Sequence, residues 1–456
     1  MGVKLPGSVS GLVDPKVVES LIEVEKLPVE AAQKRKEIVV NERAEVQTLQ
    51  TLLNDLDASL NGIKSRSNFY KLKVESSHPD IIDGVITGVT LTGSYEFEVR
   101  GLAKSEKELA YGFPDKDDTP VGFGFMLIER EDLDDFEVII EPDSTLDDVA
   151  RAINDAEAGV KAMVINTKYK PDPYRLLVIS EKSGNEARVY IDEDTTFLEF
   201  KEQVTGRNLD VLFEDVPVTD ADNELDELVE GVVFQIKRSE PGTRVQVAIV
   251  YDVDATLEGI QEWVNKYNEV AQFINDQFAI DQETGRAGVL AGDSGVKQVQ
   301  RQLQFSLGGS IISGGDFSTL AEIGITTDPK TGKLNMDEAK VRGALTEDYD
   351  SVANLFIRGK VTIGVGERMA EVLKGLRDPT NGIVKSRLRG LDRIIKNQDQ
   401  IIERKERTME QREQNIRRRF TALESQLSGL KAQGDFLSQR FGAQGQSNKN
   451  RPEDLP

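Results

Sequence analysis

At 456 residues and 38% hydrophobic content, the chain is long enough for two to four domains with buried cores. Acidic residues outnumber basic ones 80 to 57, and the resulting net charge of -23 repels nucleic acid and anionic lipid alike. Cysteine is absent and histidine occurs once, which excludes disulfides, thiolate metal sites and cysteine nucleophiles and leaves one imidazole for proton transfer.

That imidazole, His78, lies between Ser77 and Pro79, a pattern that reads as an exposed turn. No stretch approaches the roughly 18 apolar residues that cross a bilayer, and residues 1–10 lack the basic-then-apolar order of a cleaved signal peptide. Neither membrane insertion nor ordinary Sec export is expected.

In chain order, Asp14 before Pro15 suits an N-cap followed by Pro at the first helical position. Val17, Val18, Leu21, Ile22 and Val24 cover one side of this helix up to Pro28, where a second helix is expected to begin and to run past residue 60. Val39, Val46, Leu49, Leu53, Leu56, Leu60 and Ile63 follow mostly the three-and-four spacing of a coiled-coil seam, a face that needs a partner.

From about residue 75 the sequence turns to short β-branched stretches broken by Gly, Pro and Asp. Strands are expected at 81–92, 95–99, 136–140, 161–166, 175–180, 232–237 and 243–251, with one helix at 145–156. No repeat of 20–50 residues is visible, which disfavours a solenoid or propeller. Helical periodicity returns with Leu257, Ile260, Val264, Tyr267, Val270 and Ile274, a face that also carries Trp263 as a core residue. A further amphipathic segment is expected at 296–305, then a turn at 328–332 and helices near 336–344 and 351–356.

Beyond Gly382, Leu388, Ile395, Ile402, Met409, Ile416, Leu423 and Leu430 recur every seven residues, predicting one long helix. Its companion column starts at Leu391 but continues with Gln398, Lys405, Arg412 and Arg419, so the seam is polar at its centre. Isolated helices are marginal in water. The C-terminal helix therefore depends on neighbours, with the N-terminal helix the first candidate and other chains completing the face.

Chemistry-bearing motifs are sparse. Gly292-Asp293-Ser294-Gly295 lacks the spacing of a phosphate loop and reads as the turn that starts a helix. Residues 328–338 have the outline of a calcium loop, but Lys330 and Leu334 stand at ligand positions and no Glu stands at the twelfth. The acidic clusters at 129–135, 192–194 and 214–230 read as solvated surface. No catalytic residue, cofactor or metal is expected. The bases Arg417, Arg418 and Arg419, with Glu403, Glu406, Glu410 and Glu413 interleaved upstream, make a mixed-charge face suited to partner helices.

Several segments together resemble the flagellar hook-associated protein 2 family. SGLVDPKVVESLIEVEKLP at 10–28 is similar to that family's opening signature, with Val13 added before Asp14. Residues 144–184 resemble the helix–strand–turn–strand module shared by flagellins and their caps. IQEWVNKYNEV at 260–270, GVLAGDSGVKQVQRQL at 288–303, GITTDPKTGKLNMDE at 324–338 and RFTALESQLSGLKAQGDFLSQRF at 419–441 look like family blocks in the family's order.

The resemblance implies an α+β multidomain fold in which terminal helices form a leg around antiparallel β-rich middle domains. The expected divisions are 1–74 for the N-terminal segment and long helix, 75–110 with 213–252 for one β-rich domain, and 111–212 for a second. A helical domain at 253–382, a coiled-coil helix at 383–441 and a disordered tail at 442–456 complete the chain. The resemblance further implies a structural filament cap, secreted to the flagellum tip and associated with itself, flagellin, hook–filament junction proteins and a type III export chaperone. Other readings are a surface adhesin, a flagellin or a junction protein. The residues expected to carry helix packing and oligomerisation are Val46, Leu49, Leu53, Leu56, Leu60 and Ile63, opposite Leu388, Ile395, Ile402, Met409, Ile416, Leu423 and Leu430.

Overall fold

The computed structural model describes residues 15–280, 285, 287–309, 311, 316–357 and 363–445. Helix α1 (Pro15–Ser59) leads through a 3-10 turn (Leu60–Gly62) into the short α2 (Arg66–Phe69). The β-rich stretch begins with β1 (Leu72–Ser76), β2 (Ile82–Ile86), β3 (Gly93–Gly101), β4 (Lys107–Leu109), β5 (Gly122–Arg130) and β6 (Phe136–Ile140). After α3 (Leu146–Asp155) come β7 (Val160–Asn166), β8 (Tyr174–Ser180), β9 (Val189–Thr196), β10 (Lys201–Val204), β11 (Leu209–Phe213) and β12 (Val216–Asp220). Strands β13 (Glu224–Val229), β14 (Val232–Ile236) and β15 (Arg244–Tyr251) close the stretch. Helices α4 (Val253–Phe278) and α5 (Ser294–Leu307), the hairpin β16 (Ile325–Thr327) and β17 (Leu334–Met336), and helices α6 (Glu338–Glu347), α7 (Tyr349–Phe356), α8 (Val365–Arg377) and α9 (Ile383–Gly445) follow.

The chain divides into two compact units, one made of Met1–Phe69 with Thr256–Pro456 and one of Tyr70–Ala255. The α+β expectation, helical ends around an antiparallel middle, holds.

In the β-rich unit every strand pairing is antiparallel. Sheets β1-β15-β3-β11-β12 and β13-β14-β2 supply one core, with Phe97, Val211, Phe234 and Val247 buried in it. Sheets β10-β4-β8-β7 and β6-β5-β9 supply a second, sealed by Leu146, Val149 and Ile153 of α3. Helix α3 starts where the sequence places it, because Thr145 and Asp148 form a reciprocal capping box.

The helical unit packs around Trp263, which is fully buried and donates its indole N–H to the Met369 sulfur at 3.2 Å. Phe356 stacks on Phe69 at 5.6 Å and meets the Trp263 ring edge-on at 5.8 Å. The Tyr349 hydroxyl donates to the Phe69 carbonyl at 2.6 Å, tying α7 to the segment that follows α1.

Some expectations are corrected. The helix break at Pro28 does not occur, and α1 continues through it. Pro28 lies on the exposed side, whereas Ile22, Val29 and Ala32 stay on one buried stripe. The missing N–H therefore falls where water can serve the orphaned carbonyl. Residues 87–92 leave the ladder, and the strand expected at 81–92 is only β2. Met336 belongs to β17, and α6 starts after Asp337, whose carboxylate accepts from the Lys340 amide. Helix α9 extends past 441 to Gly445. Asp14 and the rest of the tail lie outside the described residues. The 328–332 segment is a hairpin turn whose Asp328 side chain accepts from the Lys330 and Thr331 amides.

Candidate functional site: the paired terminal helices

Helices α1 and α9 pack along each other, and their ion pairs fix the direction. Arg43 meets Asp392 at 2.5 Å, Lys36 meets Asp399 at 2.6 Å and Arg412 meets Glu25 at 2.7 Å. Partner numbers rise on α9 as they fall on α1, so the pair is antiparallel. The sequence expected these two helices to pair, and they do.

The inner half of the pair is the better buried. Leu53, Leu56, Leu60 and Ile63 are fully inaccessible, and Val46 and Leu49 nearly so. On α9, Val384, Leu388 and Leu391 are buried beside them. Polar contacts frame this end. Arg377 of α8 reaches Asp57 at 2.7 Å and the Asn54 side chain at 3.0 Å. Arg387 of α9 reaches Glu42 at 3.3 Å and Asp293, the N-cap of α5, at 2.7 Å. Between α8 and α9, Asp378 accepts from the Thr380 and Asn381 amides, which hold its carboxyl below the usual carboxylate range.

The outer half is more open. Ile395, Ile402, Met409 and Ile416 are half-buried, while Leu423 and Leu430 are exposed. The polar column expected at the centre is in place, with Gln398 and Lys405 half-buried and Arg412 engaged with Glu25. Exposed ion pairs contribute roughly 0.2–1 kcal/mol each, so they set register more than they hold the helices together.

A second apolar stripe escaped the sequence reading, which put Val17, Leu21 and Val24 on one side with the buried Val18 and Ile22. Val17, Leu21, Val24 and Leu27 face away from the buried Val18, Ile22 and Val29 and are exposed, Val24 at 60%. On α9, Leu423, Leu430, Phe436 and Leu437 are exposed as well. Because Glu25 meets Arg412, both groups belong to the same end of the antiparallel pair. Helix periodicity was the signal available, since an apolar arc wider than one seam implies more than one partner.

Sequence models of the flagellar hook-associated protein 2 N-terminus and C-terminus match residues 10–106 and 206–432, together more than half the chain. The chain belongs to the flagellar hook-associated protein 2 family. It is 24% identical over 379 residues to the B-type flagellar hook-associated protein 2 of Pseudomonas aeruginosa, spanning 76% of this chain and 78% of that one. It is 23% identical over 415 residues to the flagellar hook-associated protein 2 of Escherichia coli K12, spanning 85% and 86%. The crystal structure of the flagellar cap protein FliD D1-D2-D3 domains from Escherichia coli matches with a TM-score of 0.56 at 24% identity. That match covers 76% of this chain and 99% of the other, and it speaks for the fold. Hook-associated protein 2 is a structural protein of the flagellar tip, outside the cell. Among the described residues no helix is long and apolar enough to cross a membrane.

Proposed function

We propose that this chain caps the distal end of the flagellar filament as a homo-oligomeric ring. Each α1–α9 pair is a leg that contacts the growing filament, while exported flagellin folds and inserts beneath the cap and is kept from escaping, so that the filament elongates and the cell swims. The observation that carries this reading is the exposed apolar stripe Val17, Leu21, Val24 and Leu27 beside the exposed end of α9. A leg that filled its own seam would have no need of it. The seam residues named from sequence divide accordingly: Val46 to Ile63 with Leu388 hold the leg together, and Ile395 to Leu430 increasingly serve neighbouring subunits or flagellin. Hook–filament junction proteins and a type III export chaperone complete the proposed partners.

The test is genetic. Deleting the gene should produce cells that shed unpolymerised flagellin, and a copy with Val17, Leu21, Val24 and Leu27 changed to Ser should fail to restore filaments. Normal filaments and no flagellin in the medium after deletion would overturn the proposal.

A further inference from the structure

Two of the acidic side chains of the β-rich unit that no helical leg uses are buried. Glu106 precedes β4 and Glu108 lies within it, so the two share one face of the sheet. Strand β10 is the edge strand beside β4, and Glu202 stands directly opposite Glu108 in the ladder. Like charges so placed repel. No spacing in the sequence signals the trio, because almost a hundred residues separate Glu202 from the other two.

Each of the three offers a carboxylate oxygen within 4.8 Å of the other two. Glu106 is satisfied by the Gly206 amide at 2.6 Å and by Arg188 Nε at 3.4 Å, and Glu202 by Thr205 and by Arg188 Nη2 at 3.7 Å. Glu108 is different. It is only 8% exposed, yet among the described residues its carboxylate has neither a hydrogen-bond nor an ion-pair partner. A carboxylate so largely withdrawn from water and without a partner is costly, and its natural complement is a cation entering from the cleft.

The three carboxylates line a cleft of about 600 Å³. Glu129, Glu131 and Asp135 add negative charge to its wall. The other cation lining it, Arg130, is engaged by Asp132 and the Gly159 carbonyl. The single guanidinium of Arg188 therefore serves Glu106 and Glu202 at the long end of ion-pair distance and leaves Glu108 unserved.

We propose that Glu106, Glu108 and Glu202 form a binding site for a hard divalent cation, calcium first, which pins the edge strand β10 to β4. Three oxygens spaced within 4.8 Å admit a point no more than about 2.8 Å from each, close to the calcium–oxygen range of about 2.3–2.6 Å. All donors are carboxylate oxygens, which suits calcium or magnesium and not the softer metals. Magnesium wants a tighter octahedron and is the weaker fit. A dissociation constant of about 10⁻⁴ to 10⁻³ M, the range of extracellular calcium modules, matches a site with three protein ligands on a secreted chain.

The experiment titrates the full chain with CaCl2 by isothermal calorimetry at pH 8, beside thermal melts in 5 mM CaCl2 and in EGTA. One calcium per chain and a rise in melting midpoint of about 2–4 °C, reversed by EGTA, are expected. Glu108→Gln should abolish the response while raising the midpoint in EGTA, because it removes the repulsion at the ladder. Glu202→Gln, on the more exposed edge strand, is the second variant should the first fail to fold. Arg188→Gln should tighten calcium binding. No calcium heat in the wild-type chain, or equal heat in wild type and both Gln variants, would overturn the site. Binding of magnesium in preference to calcium would overturn the choice of ion.

Discussion

The guanidinium of Arg412 meets the carboxylate of Glu25 at 2.7 Å, joining residues 387 positions apart near the outer end of the leg. Both side chains retain contact with water, so the pair contributes little energy and mostly specifies register. Arg412→Glu should lower the thermal midpoint by less than the equivalent of about 1 kcal/mol. Combining it with Glu25→Arg should restore wild-type melting. Recovery of neither stability nor filament assembly in the double variant would show that the pair has no role in alignment.

The leg should respond unequally along its length. Leu53→Ala or Leu56→Ala removes a side chain with no exposure, and each should destabilise the helical unit by about 2–5 kcal/mol in denaturant unfolding. Leu430→Ala, at 63% exposure, should leave unfolding of the monomer unchanged. If Leu430 serves assembly, that variant should still impair filament formation.

Pro28 offers a test in the opposite sense. Inside α1 it forgoes a backbone hydrogen bond that any other residue would make, and its ring crowds the preceding turn. Pro28→Ala should stabilise α1 by about 1–3 kcal/mol, read as increased helicity and a higher midpoint. A drop in either would mean that the surrounding chain is built for the proline.

Acid should weaken the helical unit. The Asp348 carboxylate caps α7, where the Ser351 hydroxyl and then the Ser351 amide hold its pKa below the ordinary value, and the Asn381 and Thr380 amides do the same for Asp378. Carboxyls held low in the folded state favour folding above their unfolded pKa, near 4, and that contribution is lost as pH falls through the folded value. Melting midpoints measured from pH 5 down to 3 should therefore decline, and less steeply in Asp348→Asn, which keeps a capping oxygen without a titrating group. An identical slope in the variant would count against Asp348.

Much of the helical architecture was legible because its signal is local. Seven apolar residues at sevenfold spacing announce α9, and the mixed spacing from Val46 to Ile63 announces its partner. Other elements were hidden for identifiable reasons. Strand β5 begins with Gly122 and Gly124, both at positive φ, which read as a turn before they read as a strand. Strand β9 carries Asp192 and Asp194 on its exposed face, so its acidity reads as loop although the solvated surface inferred there is real. The Glu106, Glu108 and Glu202 trio depends on a ladder register between distant strands, which no window of sequence contains.

The antiparallel leg also sets an order of events. A chain that emerges N-terminus first presents α1 long before α9, since Glu42 and its partner Arg387 are 345 positions apart. Helices α4 and α8 reach the inner end of α1 first, but until α9 emerges the rest of α1 lacks its partner within its own molecule. The leg is the last part of the protein able to close, and until it does its apolar edge is free to try other helices.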